Sequence, residues 1–426
     1  MTSETVTVSA SIGSGDPPAR TAWGLILFLL ALHVLNQIDR QLVAAFAADI
    51  MRDLGLSRSQ FALIAGLAFS GVYAFAALFA GVLADRLGRV RVLSGGLGIW
   101  SLFTALAGLA QGFWTMLAAR PFVAAGEATL VPTASNIILA RVGDSHKAAA
   151  LGLFFAGIPL GIGGGFLIAG LLGPVLGWRG TFLLMGALGV IALAALMRLK
   201  DAPPDLSHRP TLAGNLTALF AVFRAKRRAL WASLAIIFAH FHTATSPFVQ
   251  LWLTSEKGYA PAAAAQLYGL MFVTFGLLGT FGAGLLGDWA KRRFGFDRAA
   301  TMFALLLILA PLLVIYRLAP GGTPLFLLGM AGSILFMTVI YGPIFAIIEE
   351  LLPPQLKATS TGLNILVLNI LAIGGGALLI GVVSERLVVA GSARSWTLPL
   401  LGADGLALLA VLFIFAAMRS PRQIAD

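Results

Sequence analysis

The chain runs to 426 residues, of which 59% are hydrophobic and 11% charged, with a mean hydropathy of +0.92. Soluble globular chains carry roughly 25% charged residues, so a water-soluble fold is excluded, and about twelve apolar spans of ~20 residues fit the composition. The absence of cysteine excludes disulfides and thiolate metal sites. The net charge of +11 is explained by where the basic residues fall, without a nucleic-acid partner.

Residues 1–20 are rich in Ser and Thr, contain Pro17-Pro18 and have no apolar core, so they read as a loose, disordered tail and not as a cleaved signal peptide. Spans are expected at 21–47, 60–84, 91–111, 113–140, 147–173 and 179–198, then at 229–253, 264–287, 299–318, 324–349, 357–383 and 395–418. Residues 199–228 form the one long polar segment, with Pro203-Pro204, His208-Arg209-Pro210 and the basic run Arg224 to Arg228. This segment separates six spans (21–198) from six (229–418) and has room for a short amphipathic surface helix. Residues 419–426 form a second tail.

Lys and Arg concentrate in segments that share a face with the N-terminus, notably Arg86, Arg89 and Arg91, the central segment, and Lys291 to Arg293. The opposite face holds fewer, among them Arg52, Arg58, Lys257 and Arg317. That bias predicts a multi-pass protein of the inner (plasma) membrane with both termini cytoplasmic. Glycine clusters twice, as Gly157-Ile-Pro159-Leu-Gly161-Ile-Gly163-Gly164-Gly165 in the fifth span and Gly374-Gly375-Gly376 in the eleventh. Neither cluster precedes the Lys-Ser/Thr of a phosphate loop. Close helix packing and bendable helices are expected instead.

The second span ends in Gly81-Val-Leu-Ala-Asp85-Arg86-Leu-Gly88-Arg89-Val-Arg91, and a second version follows about 200 residues on, Gly284-Leu-Leu-Gly287-Asp288-Trp-Ala-Lys291-Arg292-Arg293. In both, a glycine stands four positions before an aspartate and a basic cluster comes after it. A chain that carries one junction twice is expected to consist of two pseudo-symmetric halves. The aspartate sits where a membrane helix meets water, the glycines permit a tight turn, and the arginines can reach lipid phosphates or a neighbouring carboxylate. Such a block can latch two helices in one conformation and release them in another.

Charged side chains at mid-bilayer cost about 2.5 to 3.5 kcal/mol each on insertion scales, so those inside spans need partners or water. The first span carries His33, Asn36, Asp39 and Arg40 within about a 120° arc, and the fourth carries Arg120 and Glu127 on one face. Two helices can thus bring two acids and two bases together. Asp39–Arg120 and Arg40–Glu127 are either static ion pairs or a proton-coupling site whose carboxylates load and release a proton; a shorter first span would make Asp39 an interfacial residue instead. The second half offers His240, His242, Ser246, Gln250, Tyr341, Asn364 and Asn369 in its span interiors, but no Lys or Arg there. The two histidines are expected to hydrogen-bond between helices, and Phe238, Phe241, Phe248, Trp252, Phe272 and Phe275 to pack or face lipid. A path charged on one side and apolar on the other suits an amphipathic substrate.

Gly81, Asp85, Arg86, Gly88 and Arg89 resemble the signature loop of the major facilitator superfamily. The second copy is degenerate, with Trp289 in place of Arg86. The resemblance implies an all-α integral membrane protein with 12 transmembrane helices in two pseudo-symmetric six-helix bundles, working by alternating access. It also implies that Asp85 and Arg89, with Asp288 in the second copy, form a conformational latch that closes the cytoplasmic gate. Asn36-Gln-Ile-Asp39-Arg40, Arg120 with Gly126-Glu127-Ala128, and Gly177-Trp178-Arg179-Gly180 look like elements of the spinster-type lipid transporters. Organic-ion symporters share much of the first two, and Gln37 stands where both groups usually place an aromatic residue. The spinster resemblance implies proton coupling at Asp39 and Glu127, and substrate-binding or ion-pair roles for His33, Asn36, Arg40 and Arg120.

The expected activity is therefore secondary active transport of an amphipathic or lipid-like molecule by a monomer, with the proton as coupling ion and no cofactor or metal. The alternative is a proton-coupled symporter or exporter of small organic anions or drugs. An enzyme is disfavoured, because there is no His-Glu-x-x-His and no Gly-x-Ser-x-Gly. A channel would need a pore ringed by charges or carbonyls, which unequal halves do not supply.

Overall fold

Backbone amides buried in hydrocarbon must be satisfied within their own segment, which long apolar runs achieve as helices. The computed structural model describes residues 19–199 and 212–420, and among them no strand is present. The span helices are α1 Trp23–Ala45, α2 Arg58–Leu87, α3 Arg89–Gly108, α4 Phe113–Arg141, α5 (144–176) and α6 (178–196). They continue as α7 Arg227–Ser255, α8 Pro261–Phe294, α9 Arg298–Leu318, α10 Pro324–Glu350, α11 Gln355–Val389 and α12 Thr397–Arg419. α5 and α6 follow one another with no loop between them, the chain reversing at Gly177, where φ is 63° and ψ 178°. A further helix, Leu212–Ala225, occupies the end of the central segment. The expected N-terminal tail falls on residues 1–18, and part of the central segment on 200–211, outside the described residues.

Large apolar side chains such as Ile191, Ile308 and Leu412 are exposed on the flanks, as suits a surface that meets lipid and not water. The protein is an integral, multi-pass membrane protein. Below, the face bearing Trp23 and Arg419 is called proximal and the other distal.

The two halves repeat in detail. Gly55 and Gly258, as far apart as Asp85 and Asp288, both turn the chain with positive φ (60° and 78°). Two residues before each stands a carboxylate that clamps the start of its bundle's last helix. Asp53 accepts Trp178 Nε1–H at 2.9 Å. Glu256 accepts the Trp396 and Thr397 amides at 2.6 and 3.0 Å and the Thr397 hydroxyl at 2.6 Å. Asp53 lies outside the spans, and the Trp178 N–H, helped by Arg52 and Arg179, holds its carboxyl below the usual carboxylate range.

Small residues set the approach of the bundles. On α5, Gly157 and Gly161 lie against His33 and Gln37 of α1, while Gly163 backs onto Gly269 of α8. A Cβ on Gly163 would stand 2.6 Å from the Gly269 carbonyl and from Val273, whereas one on Gly164 meets nothing nearer than 3.5 Å. Gly163→Val is therefore expected to destabilise the fold by at least ~1–3 kcal/mol through overpacking, and Gly164→Ala to be neutral. Thermal unfolding in detergent distinguishes them, and equal midpoints would refute the seam.

α2 and α11 form the second seam between bundles. Each widens there into a π-helical stretch, Leu63–Leu67 and Leu368–Gly375, and the two stretches lie against one another. The hydrogen bonds made between the bundles by described residues cluster toward the distal face, from Ser57, Arg58 and Ser59 to α11 and Ser395, and from Gln266 to the Gly170 carbonyl.

Candidate functional site

The α1 stripe and the α4 face meet as their spacing predicts. His33, Asn36, Asp39, Arg120 and Glu127 are buried, and Arg40 is half-buried. Asp39 lies beside Thr104, Trp100 and Arg120, and Glu127 beside Arg40 and Arg120. Yet neither carboxylate accepts a hydrogen bond of ordinary geometry, the Thr104 hydroxyl and Trp100 N–H facing Asp39 only at longer range.

The arginines turn to other groups. Both guanidinium groups lie over the Phe69 ring of α2, Arg40 at 4.8 Å and Arg120 at 4.5 Å, and Arg40 also covers Tyr73 at 4.9 Å. Arg120 Nε donates to the carbonyl of Ile64 at 3.4 Å, inside the π-helical stretch, where displaced carbonyls are open to side chains. The four charges are thus gathered but not paired. His33 stacks on Phe154 at 4.5 Å and donates Nδ1–H to its carbonyl at 3.0 Å, and the Asn36 amide nitrogen has no partner. The arrangement is a buried, low-dielectric cluster with two unpartnered acids beside two cations held by aromatic faces.

The second half departs from expectation. Arg317, assigned by sequence to the water face at the end of the ninth span, is fully buried, and so is Asp404 of α12. Arg317 Nε donates to Asp404 Oδ2 at 2.7 Å and its Nη2 to Thr245 Oγ1 at 2.9 Å. His242 donates Nδ1–H to Asp404 Oδ1 at 2.6 Å, and its Nε2 lies 3.0 Å from the Ser333 hydroxyl and 3.2 Å from the Ser333 carbonyl. Trp252 and Tyr316 flank the guanidinium at 4.9 and 4.8 Å. The second half therefore does carry buried charge, joined across α7, α9, α10 and α12. A signal was present, since Asp404 is an acid inside an apolar span. His242 bonds between helices as expected, whereas His240 donates to Ile236 of its own helix at 2.6 Å. Phe241, Phe248, Trp252 and Phe272 are buried packing residues.

Against known families, the sequence model described as Major Facilitator Superfamily matches residues 29–376. The chain belongs to the Major Facilitator Superfamily. It is a transporter and not an enzyme, and spinster proteins are among the relatives it resembles. Protein spinster of Drosophila melanogaster is 23% identical over 87% of this chain and 63% of its own length, and human protein spinster homolog 1 is 26% identical over 88% and 75%. An MFS-type efflux pump of Mycolicibacterium smegmatis is 28% identical over 86% of both chains. Among solved structures, a bacterial homolog of the human lysosomal transporter spinster, inward-facing and unoccupied, superposes with a TM-score of 0.82 at 23% identity, covering 95% of this chain and 98% of that one. That likeness shows the fold.

In this transporter the two junction blocks differ. α2 ends at Leu87 and the chain turns at Gly88, with φ at 100°. In the second copy the helix does not stop, because Gly287, Asp288 and the basic cluster continue α8 to Phe294, and Gly295 makes the turn. Asp288 thus lies inside a helix and not at its end. Asp85 and Arg86 are exposed. Arg89 donates to the Asn136 carbonyl of α4 at 3.2 Å, within its own bundle. No ion pair among the described residues includes Asp85 or Asp288.

Proposed function

We propose that this protein is a proton-coupled secondary transporter that works by alternating access and moves an amphipathic, lipid-like substrate between its two bundles. The observation that carries the reading is the pair of buried carboxylates, Asp39 and Glu127, whose oxygens accept no hydrogen bond of ordinary geometry. An ionised carboxylate left so would cost several kcal/mol, whereas the protonated acid carries no such charge. Arg40 and Arg120 stand close enough to accept pairing once a carboxylate ionises and the aromatic contacts yield. Proton gain and loss would then favour different arrangements of α1, α2 and α4.

The lipid-like substrate is supported by the contrast between the halves. The charges of the second bundle are consumed by one another, while those of the first remain available to a polar head. The name of an Arabidopsis thaliana relative, a probable sphingolipid transporter 27% identical over 46% of this chain, agrees with that class. If the proximal face is cytoplasmic, as the basic residues argue, this conformation is closed away from the cytoplasm. The unpartnered Asp85 then fits a cytoplasmic latch in its released state. The second reading, a small organic anion or drug, is favoured by the efflux pump and by a Bacillus subtilis hexuronate transporter 26% identical over 63% of the chain.

Proteoliposomes holding the purified protein, given an imposed pH gradient and either a labelled lysolipid or a labelled hexuronate, separate the two. Gradient-dependent movement of the lysolipid alone is the expected outcome. Movement of the hexuronate alone would transfer the protein to the second class.

A further inference from the structure

We infer that the distal gate of the transport path is a hydrogen-bonded latch in which Ser384 and Glu385 of α11, with Ser395, hold the first turn of α2, and that it must open once in each cycle. The inference rests on the alternating-access part of the reading above and is independent of substrate and coupling ion. Ser57 caps α2 through a box with Gln60, which leaves the Ser59 amide pointing outward at the positive end of the helix. Glu385 Oε2 takes that amide at 3.0 Å, the Ser59 hydroxyl at 2.5 Å and the Ser57 hydroxyl at 3.2 Å. Arg58 reaches the other way, donating Nη1–H to Ser384 Oγ at 2.5 Å and Ser395 Oγ at 2.9 Å, with its guanidinium 4.3 Å from the Trp396 ring centre.

Below the latch lies an aromatic plug shared by both bundles. Trp396 stacks on Phe248 at 5.3 Å, Phe248 meets Phe61 of α2 edge-on at 6.1 Å, and all three rings are buried. The plug shuts the distal end and the polar layer ties it down. Glu256, a neighbouring carboxylate, clamps α12 within its own bundle and need never part. Glu385 binds across the divide, so any rocking of one bundle against the other that opens the distal face has to break its bonds. Hydroxyls, an amide and a carboxylate at a half-buried surface can be resolvated by water when it does.

The chain has no cysteine, so labels can be placed without background. Spin labels at Gln111→Cys with Ala393→Cys report the distal face, and Ser145→Cys with Phe296→Cys the proximal one. Glu385→Gln and Arg58→Gln are each expected to raise the distal-open population relative to distal-closed by roughly tenfold, on the scale of one lost charged hydrogen bond. Populations unchanged in both variants, in a protein whose parent form interconverts, would overturn the latch. A parent form that shows one distance distribution at every pH and substrate load would instead overturn alternating access. Transport by a Ser59→Cys, Glu385→Cys protein joined by a short reducible crosslinker supplies a second readout. Loss of transport on bridging and recovery on reduction support the gate, and transport that survives bridging refutes it.

Discussion

Replacing Arg317 with leucine is expected to destabilise the protein by about 3–5 kcal/mol, because it leaves the Asp404 carboxylate buried and facing only His242. The guanidinium also gives up the Thr245 hydroxyl and its contacts with Trp252 and Tyr316. Asp404→Leu strands the opposite charge and should be comparably severe. The double replacement, Arg317→Leu with Asp404→Leu, should recover most of the loss, since apolar side chains of similar volume often serve as well as a buried ion pair. Thermal unfolding in one detergent, run as a double-mutant cycle, measures the coupling. Additive losses would show that the two residues do not act as a unit.

The second large effect concerns coupling. Asp39→Asn and Glu127→Gln keep side-chain volume and remove the capacity to ionise. Each is expected to cut accumulation driven by an imposed proton gradient at least tenfold, on the order of one lost ion–proton exchange in a low-dielectric site, while substrate counterflow without a gradient persists. The two assays together separate a coupling defect from a binding or folding defect. Parental rates with an intact pH slope in both variants would defeat the proposal. If only one variant loses coupling, that carboxylate is the carrier and the other sets its field.

Much of this architecture follows from elementary readings of the chain. Hydropathy anticipated the span helices, although α8 overran its expected end by nearly two turns because nothing in Gly287-Asp288 forces a helix to stop. The glycine run of the fifth span foretold close backbone contact, and the 3.6-residue period brought Asp39 and Glu127 together. What escaped was partnership between helices remote in sequence. Arg317 looked like a boundary residue because an arginine in a last turn can either reach water or turn inward. Only the acid 87 positions further on decides between them. Arg58 was likewise counted as a charge in water, though its neighbours on α11 and beyond lie more than 300 residues away. The π-helical stretches were equally invisible, since they leave no local composition signal.

Those two stretches bear on how such a chain can change length. A wide turn houses one residue more than the α-helical path it replaces, so a residue lost inside 368–375 lets that turn tighten while Ser384 and Glu385 keep their facing. The same deletion a few positions beyond it would swing them by about 100°, away from the first turn of α2. Length variation among sequences that share this fold should therefore be tolerated inside the wide turns and purged from the stretch between them and the distal loops.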